Sequence, residues 1–259
     1  NSVSNFKLEK LEDYNLEHLE NIDTKTNGPF NMNEWLTYLN TNYSKYEIKL
    51  FKRTETTTSN EYNRKKRLRK YGYDMLPGEI GAFLSHRETW KIAKAKNNPT
   101  LILEDDFLIQ DNSFPEHINS IKEEIPQLGV VRLQAIFDKK THSIHKVNSL
   151  DLVTYTGNPS GATAYLVSPA AASNLYDKSQ EIFIPVDDFI DHQWRHEIII
   201  HGLIPYPIGT TDVHSEIGTR NKPKQSLLKK LSIELNKLPD SLRGKWFHMK
   251  TKLKYRSSL

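Results

Sequence analysis

The 259-residue sequence contains no cysteine, which excludes disulfides, thiolate nucleophiles and thiolate metal sites. No apolar run approaches the ~20 residues that a membrane-spanning helix needs, and no secretory signal pattern is visible. Glycine is sparse, with 11 residues. Neither a Walker-type phosphate loop nor a dinucleotide-binding fingerprint occurs, which argues against P-loop kinases, ATPases and Rossmann dehydrogenases. There is no internal repeat. A cytoplasmic protein is the expectation, and Asn1 in place of an initiator methionine points to a processed or trimmed chain.

What is present suits a soluble globular protein with a sizeable core: 37% hydrophobic and 10% aromatic residues, in a length that holds one large domain or two small ones. The net charge of +4 conceals an asymmetry. Residues 222–259 carry eleven Lys/Arg against two acidic residues, a balance of +9, so residues 1–221 carry −5. The basic character belongs to the tail. A metal-dependent nuclease would need positive surface around its acids; the net-negative body argues against nucleic acid as a partner.

Along the chain, residues 33–39 predict a short helix around Trp35 and Leu36, and residues 46–51 alternate as a strand. The basic run at 63–70 reads as a solvated helix face. Pro77-Gly78 marks a turn before a helix over 79–97, on which Phe83, His86, Trp90 and Ala93 share one face. Among such neighbours His86 reads as a satisfied core histidine. Short apolar strands are predicted at 100–105, 130–133, 164–167, 182–186 and 203–208. Ser168-Pro169 supplies an N-cap and first-turn proline for a helix over 170–178. Strands alternating with helices predict an α/β fold with a mostly parallel central sheet flanked by helices. In such sheets ligands gather beyond the strands' carboxyl ends.

The segment Leu101-Ile-Leu-Glu-Asp-Asp-Phe-Leu-Ile109 sets Glu104, Asp105 and Asp106 inside an apolar run. Two such charges about 6 Å apart repel by roughly 3 kcal/mol at an effective dielectric near 20. A divalent cation with oxygen ligands, Mg²⁺ or Mn²⁺, would offset that repulsion; a solvated acidic turn is the alternative. Alternation puts Glu104 and Asp106 on one face and Asp105 on the other. His192 and His196, with Asp188 one turn earlier, could share a helical face as a zinc site. However, the zinc-protease pattern requires Glu after the first histidine, and Gln193 stands there.

Three segments taken in order are more specific: Pro77-Gly-Glu-Ile-Gly-Ala-Phe-Leu-Ser-His86 with Trp90, Leu103-Glu-Asp-Asp-Phe107, and Pro185-Val-Asp-Asp-Phe189. Gly161-Ala-Thr-Ala-Tyr-Leu-Val-Ser-Pro169 lies between the last two. With these motifs the chain resembles glycosyltransferase family 25 over about residues 73–218. That family includes lipooligosaccharide galactosyltransferases of Gram-negative bacteria and collagen galactosyltransferases of animals. The resemblance implies a GT-A-like domain, assigned to residues 1–221; the charge count sets residues 222–259 apart as a basic C-terminal extension. It implies inverting transfer of a sugar, usually galactose from UDP-galactose, to a lipooligosaccharide or lipopolysaccharide acceptor, with Mn²⁺ or Mg²⁺ as cofactor.

Mapped onto the family pattern, Asp106 is the first metal contact, Glu104 shares its face, and Asp105 is a support or ribose contact. Asp187 is the candidate catalytic base and Asp188 its alternate; a helix N-cap is the plainer account of Asp187. His214 would complete the metal shell by analogy with GT-A-like enzymes. Ser85, His86 and Gly161 belong to the motifs that would line the UDP-sugar site. Arg132, inside its strand, would pair with a carboxylate or a diphosphate oxygen. The family's opening strand and Arg-containing nucleotide segment have no convincing match in residues 1–20, so no uridine-binding residue is assigned. A non-catalytic carbohydrate-binding protein remains the rival reading, and Asp106→Asn separates the two: only an enzyme loses transfer.

In the tail, Leu227, Leu228, Leu231, Leu235 and Leu238 follow helical spacing among lysines, with Trp246 and Phe247 beyond. Such a stretch suits an anionic inner-membrane surface, where a lipid-linked acceptor would be met. A terminal helix packed on its own domain has the same pattern.

Overall fold

The computed structural model describes residues 5–7, 49–51, 60–104, 106–111, 113–210 and 223–256. Strands form where β-branched and aromatic residues concentrate. They are β1 (Asn5–Lys7), β2 (Lys49–Phe51), β3 (Thr100–Leu103), β4 (Phe107–Ile109), β5 (Val130–Arg132), β6 (Thr141–Val147), β7 (Leu150–Tyr155), β8 (Ala164–Val167), β9 (Ile200–Ile204) and β10 (Ile208–Thr210). The helices are α1 (Arg64–Tyr71), α2 (Pro77–Ala93), α3 (Phe114–Ile121), α4 (Ile125–Leu128), α5 (Pro169–Lys178), α6 (Val186–Asp191), α7 (Gln193–His196) and α8 (Leu227–Arg256). β1 pairs antiparallel with β2, and β4 with β10. The helix expected at 33–39 lies outside the described residues.

The main sheet has six strands in the order β3-β8-β5-β9-β7-β6. Only β5 and β9 pair in parallel; the other four pairings are antiparallel. This corrects the expectation of a mostly parallel sheet, for two reasons. β6 and β7 form a hairpin across Asn148-Ser149, where Asn148 adopts a φ of 53°, a left-handed conformation that Asn tolerates better than most residues. β8 inserts between β3 and β5 against the direction of both. Nonetheless β3, β5 and β9 share one direction, so their carboxyl ends gather at one edge. The expected strand at 182–186 contributes a single bridge, Tyr62 to Ile182, as Pro185 has no N–H to give a ladder.

Both faces of the sheet are covered, as the period of two demands. Val130, Tyr165 and Val167 pack with Phe83, Trp90 and Phe189 on one face. Val131, Ala164 and Leu166 pack with Phe114, Ile121 and Ile125 on the other. Ser168 caps α5 by accepting from the Ala171 N–H at 3.1 Å, as its sequence predicts.

The basic run is not a uniformly solvated face. In α1, Arg67 and Lys70, three apart, turn inward and are buried. Arg67 lies over the rings of Tyr71 and Tyr73 at 4.3 and 4.6 Å, and Lys70 donates to Asp240 of α8 at 2.5 Å. Arg195 donates to the same Asp240 oxygen at 2.7 Å, and His201 Nε2 pairs with the Tyr255 hydroxyl at 2.7 Å. One face of α8 is therefore docked on the body.

Candidate active site

The edge where β3 and β5 end and β8 begins carries two polar networks. The first is built around Glu104, the residue after β3. His86 Nε2 lies 2.9 Å from Glu104 Oε1, and the Thr163 hydroxyl donates to Oε2 at 3.1 Å. On its other side His86 Nδ1 lies 2.8 Å from the Tyr165 hydroxyl, which accepts from Trp90 Nε1 at 2.9 Å. One assignment of protons satisfies every member. Trp90 donates to Tyr165, Tyr165 to His86 Nδ1, and His86 Nε2–H to Glu104. Burial opposes the charge on Glu104, but the hydrogen bonds from His86 and Thr163 prevail and hold its carboxyl below the usual range.

The common wall of this network is α2, whose Phe83, His86 and Trp90 face inward. Phe189 of α6 seats its ring 5.3 Å from Phe83 and 5.7 Å from Trp90. The aromatic residue of the Pro-Val-Asp-Asp-Phe motif thus anchors the acids before it. Tyr165→Phe removes a hydroxyl that serves both Trp90 and His86 and should cost about 1–3 kcal/mol. A shift of the urea midpoint measures it; an unchanged midpoint would show that the relay adds nothing to stability.

The second network joins β5 to α6. Arg132 Nη2 donates to Asp191 Oδ1 at 2.6 Å, and each side chain is only 1% exposed. Arg132 Nη1 also donates to the carbonyls of Ser160 and Gly161, and Asp191 Oδ2 accepts from the Ser160 N–H at 2.8 Å. The pair thereby clamps a turn in which Ser160 and Gly161 have φ of 57° and 91°. A side chain at Gly161 would meet strain from that φ, and its Cβ would lie 2.5 Å from Gln134 Oε1. Two buried polar atoms here, Arg132 Nε and Gln134 Oε1, have no hydrogen-bond partner among the described residues.

Asp187 and Asp188 open α6, one turn before Asp191. Burial, with the negative charges of Asp187 and Asp191, pushes the Asp188 carboxyl up to about 7, and the Arg67 guanidinium pulls only weakly against it. A carboxyl poised there exchanges a proton near neutral pH, as a general base must.

Several expectations meet their outcome at this edge. Arg132 pairs with a carboxylate, one of its two foreseen partners. His86 is a satisfied buried histidine whose satisfaction runs through Glu104. Ser85 donates to the Gly81 carbonyl of its own helix at 3.0 Å. Each Glu104 oxygen accepts one hydrogen bond, from His86 and from Thr163, which fixes the orientation of the carboxylate and leaves a second lone pair on each oxygen. Among the described residues no three His, Asp or Glu side chains are grouped to hold a metal ion. Asp105 and His214 lie outside the described residues. The zinc alternative does not assemble, because the helical path breaks at His192 between α6 and α7. His196 is fully buried, with Nε2 paired to the Ile190 carbonyl and Nδ1 accepting from the Ile198 N–H.

Sequence reasoning missed Thr163, Tyr165, Asp191 and Arg67. Asp191 had a legible signal, an acid at the spacing of one helical turn from Asp187 and Asp188. Thr163 and Tyr165 had none beyond membership of a motif.

A family model described as glycosyltransferase family 25 (LPS biosynthesis protein) matches residues 14–190. That span holds the whole Glu104 network and both acids that open α6, and stops one residue short of Asp191. No curated protein matches the chain.

Proposed function

Because this chain belongs to glycosyltransferase family 25, we propose that it transfers a sugar, galactose foremost, from a UDP-sugar to a lipooligosaccharide or lipopolysaccharide acceptor with inversion at the anomeric carbon. The observation that carries this reading is the family match over residues 14–190. Within that span the Asp188 carboxyl, one turn before Asp191 and pushed up to about 7 by burial and its acidic neighbours, is the candidate base. As the acceptor oxygen bonds to the anomeric carbon, its proton passes to the Asp188 carboxylate. The bond from that carbon to UDP breaks on the opposite side, and UDP departs with the electron pair. Asp187, beside it, keeps the site negative and raises the basicity of Asp188. The buried Arg132 Nε and Gln134 Oε1 would be satisfied by the hydroxyls and phosphate oxygens of a nucleotide sugar.

A divalent cation, Mn²⁺ or Mg²⁺, would neutralise the charge that develops on the leaving diphosphate. The donors at the β3 end are carboxylate oxygens, which suit such an ion. Asp106 is the described residue first assigned to hold it, with Glu104, whose oxygens keep further lone pairs, beside it; Asp105 and His214 are further candidates by family analogy.

The test is turnover of a panel of UDP-sugars by the full chain with Mn²⁺, Mg²⁺ or EDTA. The expected result is UDP release from UDP-galactose that depends on the metal. Asp106→Asn should lose that turnover and weaken Mn²⁺ binding measured by calorimetry, with an unchanged circular dichroism spectrum. No turnover of any UDP-sugar with any metal would overturn the reading, and turnover undiminished by EDTA would overturn the metal assignment.

A further inference from the structure

The docked face of α8 is met by Ile233, Asp240, Gly244, Thr251 and Tyr255. Ile233 and Thr251 are buried, Gly244 lies against the Trp194 ring, and Asp240 and Tyr255 reach α1, α7 and β9. At 100° per residue these positions occupy one side of the helix. The opposite side carries a continuous apolar stripe from Leu227 and Leu228 through Leu235, Leu242 and Trp246 to Leu253. Every one of these side chains is 57–83% exposed except Trp246, at 54%. Isolated surface leucines need no account; a stripe running the length of a 30-residue helix does.

Charge decides among the occupants. Arg243, Lys250 and Lys254 border the stripe on one flank, and Lys245 and Lys252 on the other. The helix has only two acids. Asp240 is committed to the body, and Glu234 is paired with Lys237 at 2.9 Å. Two copies of α8 laid stripe to stripe would set cations against cations. Lys250 sits 3.5 Å above the Trp246 ring, an amphipathic pairing suited to a water–apolar boundary. Pro239 lies within the helix and cannot donate to the Leu235 carbonyl. A helix that lacks this backbone donor is tolerable at headgroup depth and costly in hydrocarbon. No helix among the described residues is long and apolar enough to cross a membrane.

We propose that the exposed face of α8 lies flat on an anionic lipid bilayer, its leucines and Trp246 in the acyl boundary and its flanking cations on the headgroups. This contact is independent of the transfer reaction: it rests on α8 alone, and vesicles free of any sugar acceptor test it.

The experiment is cosedimentation of the full chain with vesicles of phosphatidylcholine alone or mixed with phosphatidylglycerol. Binding to the anionic vesicles that weakens with salt is expected. Leu235→Glu with Leu242→Glu should lower it by at least about tenfold, and Lys245→Glu with Lys252→Glu should lower it selectively on anionic vesicles. All four positions are exposed, so thermal unfolding should be unchanged, and UDP release from a UDP-sugar in solution should survive. Equal binding by wild type and the leucine variant, or no binding by wild type, would overturn the proposal. So would a wild-type dimer that fails to bind vesicles and becomes monomeric in the leucine variant.

Discussion

Asp188→Asn should lower kcat by about 10²–10⁴-fold, the range that a positioned general base contributes, while making the protein more stable at pH 8. The two effects share one cause. Burial and two neighbouring carboxylates raise the Asp188 carboxyl from 3.8 to about 7. Between those values the folded chain holds a proton that the unfolded chain has lost. Stability therefore declines as pH rises from about 4 to about 7, then levels off. An amide at 188 removes that penalty, worth roughly 2–4 kcal/mol at pH 8 and nothing well below pH 4. Thermal unfolding at pH 4 and pH 8 measures the difference. Wild-type transfer should rise through pH about 7 as Asp188 ionises. Asp187→Asn should retain substantial activity, with its pH midpoint moved down because a neighbouring charge is gone. If Asp187→Asn is the inactive variant and Asp188→Asn retains turnover, the base is Asp187.

The largest loss of stability is expected from Arg132→Met. Removing one partner of a buried, hydrogen-bonded ion pair typically costs about 3–5 kcal/mol, because the other charge stays in the interior unpaired. Here the abandoned group is Asp191, and the Ser160 and Gly161 carbonyls also lose their donor. Arg132→Lys should recover only part of the loss, as an ammonium cannot span a carboxylate and two carbonyls as the planar guanidinium does. Asp191→Leu alone should be costly as well, and the Arg132→Met/Asp191→Leu double variant should cost less than the two singles together. Urea denaturation of the four proteins measures each value. Strictly additive losses would mean that the two side chains act separately.

Much of the candidate site was legible in the sequence, though not how its parts touch. Glu104 stands out as a charge in an apolar run, and His86 by its place on the inner face of a helix. Their contact depends on how α2 lies across the ends of β3 and β8, which no local pattern specifies. Arg67 was hidden because a run of like charges looks uniform until the helix exists and turns every third or fourth residue inward. The β6–β7 hairpin was obscured because its outward positions carry His, Ser and Lys, which dilute the strand signal. Four of the six main-sheet strands, β3, β5, β8 and β9, overlap stretches that the sequence marks as strands, whereas β6 and β7 do not. Strand order was not legible, since it is set by long-range pairings such as β8 between β3 and β5.

That strand order has a consequence for synthesis. β3 is complete at Leu103, but its neighbour β8 ends at Val167, and β5 has no parallel partner until β9 ends at Ile204. At translation rates of about 5–20 residues per second, the first strand waits roughly 5–20 seconds for the last. The β6–β7 hairpin can close on its own, and β8 can join β3 and β5 once Val167 is made, but the pairings of β5 and β7 with β9 wait for Ile204. Until then the edges of β5 and β7 that will flank β9 stay unpaired, and an open apolar edge of that kind is where a nascent chain is most prone to aggregate.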